Sequence, residues 1–215
     1  MIVLIGSEKG GSGKTTVATN LAAQRAADGK EVLLVDSDPQ HSATDWAAVR
    51  QDSERGFPQI TCISKMGKAT GLDIVKMRDK FDDIIVDAGG RDSVELRTVM
   101  IIADKMIVPL KPGQFDVWGL TTIETLVYDA KARGNETLRP LICLNLVNPN
   151  PVMREAEDVI DYAKEFDVFE VAESRIHDRI AFRNAAREGC GVFELARGDN
   201  KAITELNYLY ERIFQ

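Results

Sequence analysis

The chain has 215 residues, of which 44% are hydrophobic and 28% are charged, a composition that excludes a disordered chain, a collagen-like repeat and a disulfide-rich scaffold. Its 27 basic and 34 acidic residues leave a net charge of −7. Nucleic acid could therefore be bound only through a local basic patch, not through the charge of the whole chain.

Short apolar runs alternate with longer amphipathic segments along the chain. The predicted strands are Ile2–Gly6, Glu31–Val35, Ile60–Ile63, Ile84–Asp87, Lys105–Leu110 and Leu141–Leu146. The predicted helices are Lys14–Asp28, Ser42–Gln51, Thr70–Lys80, Ser93–Ala103, Leu120–Arg133, Met153–Phe166, Arg179–Arg187 and Asn200–Phe214. This order predicts an α/β fold with a doubly wound, mostly parallel sheet and helices on both faces.

The length favours a single domain over residues 1–215. No apolar run approaches the roughly 20 residues that cross a bilayer, and the apolar start of the chain is too short for a signal sequence. Cys62, Cys143 and Cys190 are far apart, which argues against a cysteine metal site and suits a reducing compartment. We therefore expect a soluble, cytoplasmic protein without stable membrane insertion.

The loop after the first predicted strand carries the most informative sequence, because ligands of doubly wound sheets bind where the strands end. Residues 7–16 read S-E-K-G-G-S-G-K-T-T and open a helix. Glycines let backbone N–H groups converge on phosphate oxygens, and the helix N-terminus adds positive potential. Lys14 is placed to contact the β- and γ-phosphates, and Thr15 to bind Mg²⁺. Glu8 stands where the strict phosphate-loop pattern has glycine, so a glycine-rich turn without nucleotide is the alternative.

Acidic and amide side chains follow other predicted strands. Asp87 ends an apolar run, where a carboxylate could hold Mg²⁺ directly or through water, or could cap the next helix. Asp36 and Asp38 follow the second strand. The Ala88–Gly90 segment predicts a mobile switch loop that responds to the γ-phosphate. Asn145 ends a further strand and could pair with an adenine edge or cap a turn.

Taken together, these segments resemble the deviant Walker A ATPases of the ParA/MinD family. K-G-G-S-G-K-T-T is similar to the phosphate loop of that family, V-D-S-D-P-Q at 35–40 to its D-x-D-P-Q segment, and I-I-V-D at 84–87 to its Walker B strand. The segments around 107–110 and 179–183 look closest to the small plasmid-type ParA proteins.

The resemblance implies a P-loop NTPase fold, ATP and Mg²⁺ as cofactors, and slow ATP hydrolysis. It implies that Lys9 reaches the nucleotide of the partner subunit, and that Lys9, Lys14 and Asp38 serve catalysis. The implied nucleotide-binding residues are Lys9, Gly10, Gly11, Ser12, Gly13, Lys14, Thr15, Thr16 and Asn145. The implied metal site consists of Thr15, Asp36 and Asp87.

Four arginines recur every four residues near the C-terminus, namely Arg175, Arg179, Arg183 and Arg187. On a helix they would cover about a third of the circumference. Such a stripe could follow DNA phosphates without reading bases, although a solvated face paired with neighbouring acids is the alternative. The resemblance favours DNA. It implies an ATP-dependent homodimer on the nonspecific DNA of the nucleoid, which partitions plasmid or chromosome DNA or positions another cargo. A ParB-like or other cargo-adaptor protein would stimulate hydrolysis.

Two other functions remain open at this point. One is a membrane-associated positioning ATPase of the MinD kind, and the other is a metabolic P-loop enzyme such as dethiobiotin synthetase. The last predicted helix has an apolar stripe but few basic residues, which favours packing on the core over binding at a membrane surface. Lys9 and the 35–40 segment make the metabolic alternative weaker.

Overall fold

The structure is a computed structural model that describes residues 1–150 and 155–215. Its strands are β1 (Ile2–Ser7), β2 (Val32–Ser37), β3 (Thr61–Ser64), β4 (Asp83–Gly90), β5 (Lys105–Leu110), β6 (Leu141–Val147) and β7 (Glu170–His177). Its α-helices are α1 (Lys14–Ala27), α2 (Ser42–Gln51), α3 (Thr70–Val75), α4 (Val94–Met100), α5 (Gln114–Ala132), α6 (Glu155–Ala163), α7 (Ile180–Arg187) and α8 (Asn200–Phe214).

The seven strands form one sheet in the order β3-β2-β4-β1-β5-β6-β7. Every pairing between neighbouring strands is parallel. The predicted fold class, an α/β fold with a doubly wound parallel sheet, is confirmed. The carboxyl ends of β1, β2 and β4 lie side by side, so the loops that follow these three strands meet at one edge of the sheet.

Helices cover both faces of the sheet, which explains why β1 is apolar at successive positions. Ile2 and Leu4 belong to a hydrophobic cluster that includes residues of α3, α4, α5 and α6. Val3 and Ile5 belong to a second cluster, with residues of α1, α2, α7 and α8. Each fully buried aliphatic side chain contributes about 1.5–3 kcal/mol, so β1 anchors the start of the following loop firmly.

One predicted helix ends early, one strand was not predicted, and one predicted helix is described only in part. The helix predicted over Thr70–Lys80 ends at Val75 and is followed by a 3₁₀ turn, Arg78–Lys80. Strand β7 was not predicted. The start of the predicted helix Met153–Phe166 lies outside the described residues, and the part within them forms α6.

The expectation for the last helix is confirmed, because Leu206, Leu209 and Ile213 of α8 are buried in the second cluster. Within residues 1–150 and 155–215, no helix is long and apolar enough to cross a membrane.

Candidate nucleotide-binding site

The loop between β1 and α1 is held in shape by its last glycine and by Asn145. Gly13 has a φ of 84°, in the left-handed region that favours glycine. A Cβ at Gly13 would lie 2.1 Å from Nδ2 of Asn145. Asn145 is 1% exposed, and its Nδ2 donates a hydrogen bond of 2.7 Å to the carbonyl of Ser12. Asn145, near the end of β6, therefore holds the phosphate loop through this hydrogen bond.

Lys14 begins helix α1 and is buried at the centre of the site. Its Nζ donates to the carbonyl oxygen of Lys9 at 3.0 Å. Burial lowers the pKa of the Lys14 ammonium, although the negative charges of Asp87 and Asp38 oppose that effect. A buried ammonium held mainly by a neutral carbonyl gains when an anionic group reaches it.

Asp87 lies beside Thr15, whose hydroxyl donates to Oδ2 of Asp87 at 2.6 Å. The second carboxylate oxygen, Oδ1, is buried and has no hydrogen-bond partner among the described residues. Burial raises the pKa of Asp87 to about 7, and the charge of Asp36 adds to the effect. A buried carboxylate oxygen without a partner is costly unless a ligand satisfies it.

Asp36 and Asp38 occupy different environments. Asp36 is fully buried, and its Oδ2 accepts hydrogen bonds of 2.8 Å from both the backbone N–H and the hydroxyl of Thr44. It therefore fixes the start of α2 and faces Asp87 across the β2–β4 pair. Asp38 is partly exposed, and its carboxylate accepts a local hydrogen bond of 2.9 Å from the backbone N–H of Gln40.

This arrangement fits a nucleotide with Mg²⁺. Thr15 and Asp87 offer the hard oxygen ligands that Mg²⁺ prefers, and the start of α1 offers backbone N–H groups to phosphates. The described residues contain no cluster of three or more His, Cys, Asp or Glu side chains that could hold a metal on its own. Mg²⁺ takes few protein ligands and completes its shell with phosphate and water.

Residues 3–190 match the family described as the CobQ/CobB/MinD/ParA nucleotide binding domain. The chain belongs to the ParA/MinD family. It is 33% identical over 208 residues to the "Maintenance of carboxysome distribution protein A" of Gloeobacter kilaueensis, covering 96% of this chain and 90% of that protein. It is 27% identical over 206 residues to the protein of the same name from Halothiobacillus neapolitanus, covering 95% and 92%.

The fold is similar to that in the solved structure of a McdA variant from Cyanothece in complex with ATP. The TM-score is 0.80 at 16% identity, and the alignment covers 99% of this chain and 95% of the other. At this identity the likeness shows the fold alone. The predicted family and fold are thus confirmed, whereas the roles of individual site residues stay predictions.

The structure brings the predicted phosphate loop, Thr15, Asp36, Asp38 and Asp87 to one edge of the sheet. The helix-cap alternative for Asp87 is wrong, because the side chain of Ser93 accepts the capping hydrogen bond from Leu96 at 3.1 Å. For Asn145, the observed bond to the loop leaves contact with a base as a prediction.

The prediction of a loop over Ala88–Gly90 is wrong. These residues continue β4, with Ala88 paired to Ser37 and Gly90 paired to Ser7. Strand pairing with two neighbours holds the segment beside the phosphate loop. Gly90 is the residue that sequence analysis missed, although a glycine inside a strand often marks a close approach of backbone.

The predicted helical stripe of four arginines is also wrong. Arg175 lies in β7, and Arg179 precedes α7, so only Arg183 and Arg187 share a helix. Arg175 pairs with Glu157 at 2.7 Å, Arg179 with Glu205 at 2.5 Å, and Arg183 with Asp178 at 2.5 Å. The four-residue spacing of these arginines therefore runs through an edge strand and a turn before it enters α7, so it does not mark one helical face.

Proposed function

We propose that this chain is an ATPase that dimerises when it binds ATP with Mg²⁺ and separates after hydrolysis. The observation that carries the proposal is the unpartnered Oδ1 of Asp87, buried beside the hydroxyl of Thr15 and near the ammonium of Lys14. A bound nucleotide and its metal would give Asp87 Oδ1 the partner it lacks within the described residues and would offer Lys14 an anionic partner.

The residues divide the chemistry of hydrolysis among them. With nucleotide bound, Lys14 would leave the Lys9 carbonyl for phosphate oxygens, and Thr15 and Asp87 would hold Mg²⁺. The metal, when bound, neutralises charge that develops on the phosphates. Asp38, which is partly exposed, orients the attacking water. Lys9 stabilises phosphate charge in the partner subunit, which makes hydrolysis depend on dimerisation.

We further propose that the ATP-bound dimer binds nonspecific DNA through Arg183 and Arg187 of α7. The side chain of Arg183 is 62% exposed, and its pair with Asp178 lies at the surface. Because exposed ion pairs contribute little, a DNA phosphate can replace Asp178. Arg187 is exposed and makes no ion pair within the described part of the chain. A dimer presents two such helices, which strengthens binding through effective concentration.

The partner would be a cargo-adaptor protein that stimulates hydrolysis. Two relatives that span most of this chain are named for carboxysome distribution. Their names support a carboxysome-like cargo at least as well as a plasmid. The membrane-associated alternative is weakened by α8, whose apolar face is buried in the core. No further observation favours the metabolic alternative.

The test combines sedimentation velocity with DNA binding by the purified chain. We expect monomers without nucleotide or with ADP, and dimers with a nonhydrolysable ATP analogue and Mg²⁺. DNA binding should require the dimer and should weaken steeply with salt, since phosphate contacts release counterions. A chain that stays monomeric with ATP analogue and Mg²⁺ would refute the proposal.

The DNA surface is tested separately by reversing charge at Arg183 and Arg187. The Arg183→Glu, Arg187→Glu double variant should lose DNA binding and keep ATP-dependent dimerisation. The matched control, Lys30→Glu with Lys80→Glu, makes the same change in net charge just before β2 and β4, outside α7. Equal DNA binding by both double variants would remove α7 from the DNA surface.

A further inference from the structure

The end of β4 touches the backbone of the phosphate loop at Gly90. Strand β4 pairs with β1 up to Gly90 and Ser7, after a register shift between Ile5 and Ser7. A Cβ placed on Gly90 would lie 2.6 Å from three atoms, namely the carbonyl carbon and oxygen of Lys9 and the nitrogen of Gly10. All three atoms belong to backbone, which cannot swing aside as a flexible side chain can. Only a residue without a side chain allows this approach.

The carbonyl of the same peptide accepts two hydrogen bonds. The carbonyl of Lys9 accepts one from the hydroxyl of Ser7 at 2.9 Å and one from Nζ of Lys14 at 3.0 Å. The Ser7 hydroxyl also lies 2.9 Å from that of Ser12, within the loop. The Lys9–Gly10 peptide is thus fixed between two hydrogen-bond donors and the bare backbone of Gly90.

We propose that Gly90 is a positioning residue for Lys9, and this inference rests on the proposed action of Lys9 across the dimer. In the proposed nucleotide complex, Lys14 would turn from the Lys9 carbonyl toward phosphate oxygens. The Lys9 peptide then keeps the Ser7 bond and the packing against Gly90. Gly90 therefore sets the place from which the Lys9 side chain reaches the partner, and it links the Asp87 strand to the dimer contact.

The neighbouring glycine provides a matched control. A Cβ on Gly89 would meet its nearest atom, Cδ of Pro39, at 3.5 Å, an ordinary van der Waals distance. Neither Gly89 nor Gly90 has a φ in the left-handed region, so alanine is compatible with the backbone at both. Gly89→Ala and Gly90→Ala make the same chemical change one residue apart, and only the second collides with the Lys9 peptide.

The experiment measures dimerisation and nucleotide binding in Gly90→Ala, Gly89→Ala, Lys9→Ala and the unchanged chain. Sedimentation velocity with a nonhydrolysable ATP analogue and Mg²⁺ gives the dimer dissociation constant. Titration of a fluorescent ATP analogue at low protein concentration gives the affinity of the monomer. Displacing a positioned group by about 1 Å can lower the rate that depends on it about 100-fold. We expect Gly90→Ala to weaken dimerisation about tenfold or more, as Lys9→Ala does, with monomer affinity within about threefold.

Gly89→Ala should dimerise like the unchanged chain. Equal dimerisation by Gly90→Ala and Gly89→Ala, with Lys9→Ala impaired, would overturn the inference alone. Normal dimerisation by Lys9→Ala would instead overturn the proposed function of Lys9. Thermal melting checks that Gly90→Ala folds. If it does not fold, Ser7→Ala decides, because it removes one donor from the Lys9 carbonyl without adding atoms. A loss of dimerisation in Ser7→Ala that is smaller than the loss in Lys9→Ala supports the inference. Unchanged dimerisation in Ser7→Ala overturns it.

Discussion

The phosphate-loop edge of the sheet and the arginine-bearing C-terminal surface both contain several charged side chains. They differ in whether those side chains have charged partners within the chain. At the C-terminal surface, Arg175, Arg179 and Arg183 each pair with a neighbouring carboxylate. At the phosphate loop, Lys14 bonds to a neutral carbonyl, and Asp87 keeps one oxygen without a partner in the described chain. A shielded pair such as Arg179 with Glu205 stabilises the fold, whereas a buried charge left unsatisfied indicates where a ligand binds.

Other unsatisfied atoms sharpen this distinction. Among the described residues, the remaining buried side-chain polar atoms without a partner are the neutral groups Oε1 of Gln24 and Nε1 of Trp46. Asp87 differs from both because it is titratable and lies beside a buried ammonium and a hydroxyl. A titratable group that lacks a partner and lies beside both an ammonium and a hydroxyl is the stronger indication of a ligand site.

The largest effect is expected from Lys14→Ala, which removes the buried cation from the site. Charged hydrogen bonds contribute about 1.5–3 kcal/mol each, so nucleotide affinity should fall about 100-fold. Titration with a fluorescent ATP analogue measures the loss. The control is Lys30→Ala, an exposed lysine in the turn before β2. Unchanged affinity in Lys14→Ala would mean that this loop does not bind phosphate.

The next effect concerns pH and Asp87. Because burial raises the pKa of Asp87 to about 7, Mg²⁺-dependent nucleotide binding should strengthen about tenfold from pH 6 to pH 8 as the carboxylate ionises. In the nucleotide-free protein the sign is reversed. A folded-state pKa above the unfolded value adds stability at low pH, and that stability is lost as pH rises through about 7.

Asp87→Asn is the control for both trends, since it keeps the titration of the nucleotide itself. Its nucleotide affinity should gain less from pH 6 to pH 8 and should respond little to Mg²⁺. Its thermal stability without nucleotide should exceed that of the unchanged chain at pH 8. Parallel pH profiles for the two proteins would show that Asp87 does not titrate in this range.

The smallest effects separate two arginines of the C-terminal surface. The Arg179 and Glu205 side chains are 18% and 15% exposed, and Glu205 also bonds to the backbone N–H of His177. Arg179→Ala should therefore lower the free energy of unfolding by about 1–3 kcal/mol, because Glu205 loses its arginine partner. Arg183→Ala should change it by less than about 0.5 kcal/mol. Urea unfolding distinguishes them, and equal losses would contradict the assignment of Arg179 to the fold.

The phosphate loop could be located from sequence because its glycines and Lys14 lie between a strand and a helix. The same holds for Asp87, which ends an apolar run of the sequence. Strand β7 could not be predicted from its pattern, E-V-A-E-S-R-I-H. It lies at the sheet edge and pairs only with β6, through an irregular register, so strict alternation is lost. The spacing of its arginine then suggested a helix.

Gly90 could not be assigned for a different reason. Two adjacent glycines after a strand are compatible with a flexible loop and with a close backbone approach, and sequence alone does not separate them. The distinction depends on the pairing of Gly90 with Ser7, which brings two segments 83 positions apart in the chain together. Asn145 was similarly ambiguous until its bond to Ser12 was seen.

The most direct test of the central claim, that Lys9 completes the site of the partner subunit, is a mixing experiment. Asp38→Ala alone should collect as an ATP-bound dimer with low turnover, because a water-orienting group matters most in the transition state. Lys9→Ala alone should bind nucleotide but turn over little. A mixed dimer keeps one complete site, formed by Asp38 of one subunit and Lys9 of the other. We predict that the mixture hydrolyses ATP well above the sum of the two variants measured separately. Turnover equal to that sum, with nucleotide bound by both variants, would contradict action across the dimer.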